Sequence, residues 1–292
     1  MVRLRCHQDA IREDAAIDPP SLNHRFERSG CTSCVQRELC LPAGLSRDEL
    51  ESAQHLVSTR MRIRRGGALY RRGDEFKSLY VIWLGSLKST VASDDAREQV
   101  AGFHMPGDMV GFDGLEGGSH ACDTVALEDS EVCVFPYSRI DEAMATLPAW
   151  RRHFHRLMSR EIVRKQGLML MLGSMDAHER LAGFLIDLSD RFELRGYSSR
   201  EFVLRMTRAE IGSLLGITVE TVSRVMSQFA KDGLIALGGA KEVAITDPVR
   251  LRQLAIGRDV ERSERRASRA HRASVGAMAP ARPRHSVVEE FA

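Results

Sequence analysis

No stretch of this chain approaches the roughly 20 consecutive apolar residues that a bilayer-spanning helix needs, so no helical membrane span and no membrane partner are expected. Strong net charge is missing as well. The 42 Lys and Arg against 40 Asp and Glu leave +2, so any basic surface has to be local rather than a property of the whole molecule. The opening residues, MVRLRCHQDAIREDAAIDPP, have charges where a secretion signal has an apolar core. The chain therefore reads as cytoplasmic, in a reducing compartment. Cysteine is scarce, with six in 292 residues. In that compartment, crowded thiols point to metal ligation or redox chemistry rather than to structural disulfides. Nucleotide-binding Gly loops and catalytic dyads are also missing, so no enzyme is expected.

What is present is organised in blocks. Apolar residues make up 43% of the chain, enough for real cores in one large domain or two ordinary ones. Residues 1–30 are polar and aperiodic and read as a flexible arm. Residues 258–292 hold eight Arg and five acidic residues and few large apolar side chains, and read as a disordered basic tail. Between residues 60 and 137, β-branched segments such as SLYVIWLGSLKSTVA alternate with Gly-marked turns, the spacing of a barrel or sandwich. The pattern turns helical from Ile140. Residues 148–174 lack an interior Pro, and Met158, Ile162, Lys165, Met169 and Leu172 recur at 4, 3, 4, 3, an a/d seam. The spacing fits a dimerisation helix and equally a helix packed on its own domain. Lys165 would place like charges face to face in a parallel pair, partly neutralised by Glu161 one turn earlier. A further helix starts at Asp176, with a domain boundary near 174–176.

Residues 207–231, TRAEIGSLLGITVETVSRVMSQFAK, carry the clearest local code. Thr207 and Glu210 form a capping box that starts a helix. Gly216 suits a tight turn, because a left-handed backbone is cheapest for Gly. Thr218 then caps a second helix whose buried face is Val222, Val225, Met226 and Phe229. Helix, short turn, helix is the helix-turn-helix arrangement, and GLIALGGAKEVAIT after it reads as a hairpin wing. In that motif the second helix enters the major groove. Its first exposed face carries Glu220, Ser223 and Arg224, groups that can accept from cytosine, serve several base edges and donate twice to guanine.

The order of these blocks resembles the cyclic-AMP receptor family of transcription regulators, and most of all its FNR branch, the fumarate and nitrate reduction regulators. The resemblance is carried by LPAGLS after Cys40, GDEFKSLYVIWLGSLKS, GFHMPGDMVGFD, HERLAGFLIDLSDRF and ITVETVSRVM, and spans about residues 31–255. It implies an α+β chain in blocks: a cysteine loop with a double-stranded β-helix (jelly-roll) sensor domain over 31–140, a dimerisation helix over 141–174, and a winged helix-turn-helix over 175–257. It also implies a [4Fe-4S] cluster on three crowded cysteines and one distant one. Cys31, Cys34 and Cys40 supply the first three. The fourth is expected at Cys122, about ten residues after GDMVGFD, with Cys133 in SEVCVFPY as the alternative. A four-cysteine zinc site or a redox-active C-x-x-C are the rival uses of these thiols. His104 and His120 read as hydrogen-bonded or solvated rather than as haem ligands. A homodimer on a palindromic TTGAT-type site is implied, with RNA polymerase as a further partner and the turn at residues 93–98 as a candidate contact. No cyclic nucleotide is expected, because residues 111–127 contain no Arg to pair with its phosphate.

Overall fold

Short apolar segments separated by Gly turns can hide only one face each, and between Thr59 and Pro136 they do so as two facing sheets. A computed structural model of the chain describes residues 59–93, 97–239 and 241–257, with Cys31, Cys34, residues 37–41 and five positions from 43 to 49 upstream. The strands are β1 (Thr59–Ile63), β2 (Ala68–Tyr70), β3 (Ser78–Leu84), β4 (Leu87–Ala92), β5 (Glu98–His104), β6 (Met109–Val110), β7 (Asp123–Ala126) and β8 (Ser130–Pro136). They pair antiparallel in the orders β1-β8-β3-β6 and β2-β7-β4-β5. Apart from the β4–β5 hairpin, successive strands switch sheets, which is the jelly-roll solution to leaving few open edges. Inward residues such as Ile82, Leu87, Val132 and Phe135 are buried between the sheets and under the helices.

Helices α1 (Tyr137–Thr146), α2 (Pro148–Ser174) and α3 (Ala177–Glu193) follow. Pro148 opens α2, where its missing N–H costs nothing. The first half of α2 buries Trp150, His153, Phe154 and Leu157 against Leu79, Val81 and Phe135 of the roll and Ile140 of α1. Its second half emerges, and Ile162, Val163, Met169 and Leu170 are exposed. Among the described residues no helix is long and apolar enough to cross a membrane.

The C-terminal part contains β9 (Glu201–Val203), α4 (Arg208–Leu215), α5 (Val219–Lys231), β10 (Ile235–Gly238), β11 (Glu242–Ile245) and α6 (Pro248–Ala255). The three strands form a wing in the order β10-β11-β9. Leu181, Leu185, Ile211, Leu215, Val222, Val225 and Phe229 make its core, and Val100, Phe103 and Met105 of the roll belong to the same cluster. The expected division near 174–176 falls between α2 and α3, yet the packing continues across it. The arm over 1–30, the tail over 258–292, Cys6 and the middle of the turn at 93–98 lie outside the described residues.

Candidate DNA-reading helix and cysteine site

Helix α4 starts on a reciprocal capping box. Thr207 Oγ1 accepts from Glu210 N at 3.2 Å, and Glu210 Oε2 accepts from Thr207 N at 2.7 Å. It ends on Gly216 at φ 62°, ψ 36°, the left-handed conformation expected there. A second glycine was not flagged by the motif. A Cβ on Gly212 would stand 2.6 Å from the Ile217 carbonyl oxygen, so the turn closes over a position that only Gly can occupy. Thr218 caps α5 by accepting from Thr221 N at 3.3 Å. With Val222, Val225, Met226 and Phe229 inside, Glu220 and Arg224 are exposed and Ser223 is half-buried on the outward face.

The cysteine loop is coiled by successive turns. Cys34 N donates to Cys31 O (3.4 Å), Arg37 N to Cys34 O (3.1 Å) and Cys40 N to Arg37 O (3.3 Å). Cys40, Leu41 and Leu45 are buried with Trp150 and Phe154, and His153 Nε2 lies 3.1 Å from the Cys40 carbonyl, so the loop rests on the start of α2. Cys133 projects from β8, where it pairs across the sheet with Arg60 and Val81. Burial first, then the neighbouring Cys133, Cys31 and Cys34, drive the Cys40 thiol well above its ordinary value. Cys133 is pushed up to about 11 by burial, eased by Arg60 and raised again by Cys31 and Cys34. The four thiols therefore lie within one another's electrostatic reach.

Cys122 is elsewhere. It sits beside β7 in the other sheet, against Tyr70 and Val110. Its Sγ donates to Asp113 Oδ2 at 3.4 Å, and burial and that carboxylate push it up to about 12. Cys122, expected as the fourth member, thus lies apart from the loop, and Cys133, the alternative, is the distant thiol beside Cys31, Cys34 and Cys40. The strand after GDMVGFD belongs to the other sheet, which carries Cys122 away from the loop. Among the described residues no three of His, Cys, Asp or Glu converge closely enough for a single metal ion. His104 is buried with Nε2 2.8 Å from Ser89 Oγ, and burial, opposed by Asp108 but aided by Lys165, Arg191 and Arg164, lowers it to about 3, so it stays neutral.

The roll and the DNA-reading domain are joined by charge as well as by packing. Asp108, in the GD of GDMVGFD, accepts from Arg191 Nη2 at 2.6 Å, Arg195 Nη2 at 2.7 Å and its own turn's Met105 N at 2.9 Å. Burial alone would raise its carboxyl, but Arg191, Arg164 and Arg195 outweigh that and hold it far below the carboxylate range. Glu210, while serving the capping box, also accepts from Lys88 Nζ of β4 at 2.7 Å. Ser213 Oγ accepts from Val100 N at 2.9 Å. Arg180 binds the carbonyls of Leu172 (2.8 Å), Met175 (2.8 Å) and Leu215 (2.9 Å), which ties the α2–α3 joint to the end of α4. The helix patterns alone did not signal these contacts.

The expected seam on α2 is only partly outward. Ile162 and Met169 are exposed at 55% and 71%, enough to leave each most of its apolar surface unpaired. Met158 packs on the roll, and Leu172 lies against Gly216. Lys165 is turned to its own roll, where Nζ donates to Ala101 O at 2.9 Å and pairs with Glu161 at 3.3 Å. Gln166, one residue on, stands exposed between Ile162 and Met169. Lys165, expected in the seam, thus lies on the side of α2 that faces the roll, where a carbonyl and a carboxylate hold its ammonium.

A jelly-roll domain joined through a long, partly unpaired helix to a winged helix-turn-helix defines a DNA-binding transcription regulator. The model of the Crp-like helix-turn-helix domain matches residues 179–254, and that of the cyclic nucleotide-binding domain matches residues 60–146. The chain is 44% identical over 224 residues to the transcriptional regulatory protein btr of Bordetella pertussis, covering 77% of this chain and 92% of that one. It is 42% identical over 225 residues to the fumarate and nitrate reduction regulatory protein of Escherichia coli K12, covering 77% and 90%. Among solved structures it resembles FixK2 from Bradyrhizobium japonicum at 30% identity and a TM-score of 0.63, covering 68% of this chain and 98% of that one. The chain belongs to the CRP/FNR family of transcription regulators, in its FNR branch.

Proposed function

We propose that the protein is an oxygen-responsive regulator that binds a palindromic TTGAT-type site as a homodimer when Cys31, Cys34, Cys40 and Cys133 hold a [4Fe-4S] cluster. The observation that carries this is the meeting of three loop thiols with a fourth from β8, 93 residues beyond Cys40. The donor set fits: four soft sulfurs, partly withdrawn from water, are the ordinary ligands of such a cluster. When bound, the cluster supplies an oxygen-labile link among the four thiolates.

The chain's own residues do the rest. The loop covers the start of α2 through Cys40, Leu41 and Leu45, so holding the loop on β8 orders the base of the helix. Ile162 and Met169 meet their counterparts in the second copy. Pairing sets the two α5 helices about 34–36 Å apart, one turn of DNA. Arg224 donates to guanine, Glu220 accepts from cytosine, and Ser223 serves a neighbouring edge. Thiols no longer held together would release the loop and weaken the dimer. Cyclic nucleotides have no part in this reading, since residues 111–127 offer no Arg for the phosphate. Contact with RNA polymerase is assigned to the turn at 93–98.

The test is purification without oxygen, with a visible spectrum and iron and sulfide assays, followed by admission of air. A brown protein that bleaches in air and then loses its gel shift on a TTGAT palindrome is expected. Colourless protein with stoichiometric zinc, or DNA binding indifferent to air, would refute the reading.

A further inference from the structure

A cleft of about 250 Å³ lies where the cysteine loop, the roll, α2 and α3 meet. Its charged lining is Asp108 from the roll, Arg160, Glu161 and Arg164 from α2, Arg191 from α3 and Arg195 just beyond its end. Four guanidinium groups thus face two carboxylates. Both carboxylates are already committed. Asp108 serves Arg191, Arg195 and, at 3.5 Å, Arg164. Glu161 serves Arg164 at 3.4 Å and Lys165 at 3.3 Å. Asp187 pairs with Arg191 at 3.4 Å from its exposed side.

Two donors are left over. Arg160 has no anionic partner among the described residues. Arg191 is 7% exposed, and its Nε is buried with no acceptor. A charged donor shut away from water without an acceptor is costly, and the exposed Arg160 adds a guanidinium with no carboxylate of its own. The guanidinium fork is the group that best matches carboxylate and phosphate oxygens in pairs. No buried group in the cleft is left to supply that anion from within.

We propose that this cleft binds a small multivalent oxyanion, a phosphorylated or dicarboxylate effector. Its walls come from the loop beside Cys40 (Leu39), from α2 and from the DNA-reading domain, so an occupant would tie the sensing loop to both output elements. This site is separate from the thiol site, and its test reads binding rather than DNA or iron.

The full chain is titrated with inorganic phosphate and with succinate, each at ionic strength matched with chloride, by calorimetry and by thermal melting. Saturable heat and a raised melting temperature with either anion are expected, and which anion succeeds identifies the class. Arg160→Gln, an exposed change outside the Asp108 pairs, should weaken that affinity at least about tenfold, the worth of one charge-assisted hydrogen bond. Lys77→Gln, at an exposed cation far from the cleft in the chain, should leave it unchanged. No saturable response to either anion, an affinity that Arg160→Gln does not alter, or an equal loss with Lys77→Gln would overturn the proposal.

Discussion

Replacing Asp108 with Asn removes one charge and almost no volume, so its effect isolates the electrostatic joint between the roll and the DNA-reading domain. The carboxylate is the shared anion of Arg191 at 2.6 Å and Arg195 at 2.7 Å, and the three side chains are 8%, 9% and 4% exposed, too little for water to take its place. Removing one partner of a buried pair costs about 3–5 kcal/mol, because the other charge stays behind uncompensated. An Asn oxygen can still accept from Met105 N and from one guanidinium, which places the expected loss near the lower end, about 3 kcal/mol. At roughly 2–4 °C per kcal/mol for a chain of this size, melting should fall by about 6–12 °C. Urea unfolding followed by tryptophan fluorescence measures the loss directly. The pH dependence carries a second check. A carboxyl held below its ordinary value contributes stability that is present above its unfolded pKa and lost as pH falls. The gap between wild type and Asp108→Asn should therefore be full at pH 7 and shrink as pH drops below about 4. A loss under about 1 kcal/mol at neutral pH, or a gap that widens in acid, would refute the reasoning.

Other expectations follow from the same contacts. Cys133→Ala should lose iron and the visible absorption of anaerobically purified protein, while Cys122→Ala should keep both; the opposite pattern would restore Cys122 as the fourth ligand. Arg224→Ala should weaken binding to a TTGAT palindrome by about 1–3 kcal/mol per half-site, read by fluorescence anisotropy, with little change on a scrambled duplex. Gln166→Leu fills the exposed stripe between Ile162 and Met169 and should tighten the dimer in sedimentation, whereas Lys165→Leu, which removes the bond to Ala101 O, should not.

Much of the C-terminal domain could be read directly, because its code is local. Thr207, Glu210, Gly216 and Thr218 act on backbone groups within four residues of themselves, and the buried face of α5 follows from a 3.6-residue period. The β-rich nature of residues 60–137 was legible for a similar reason, in β-branched runs cut by glycines. Gly212 was not, since its need arises from the Ile217 carbonyl folding back over it.

The thiol site and the helix seam show where reading along the chain fails. Cys122 just before β7 and Cys133 within β8 both stand at plausible distances, and only the order β1-β8-β3-β6 brings the second to the loop. Lys165 fits a heptad position by count, but on a helix packed along one side a residue at the edge of the stripe goes to whichever neighbour satisfies it, here Ala101 O and Glu161. Residue order thus settled the kinds of element, their caps and the buried and outward faces of α5, because those depend on neighbours a few positions away. Which distant side chains meet, Cys133 with the loop, Asp108 with Arg191 and Arg195, Lys88 with Glu210, came only from folding. Strand order and sheet switching, which no local spacing encodes, bring those groups together.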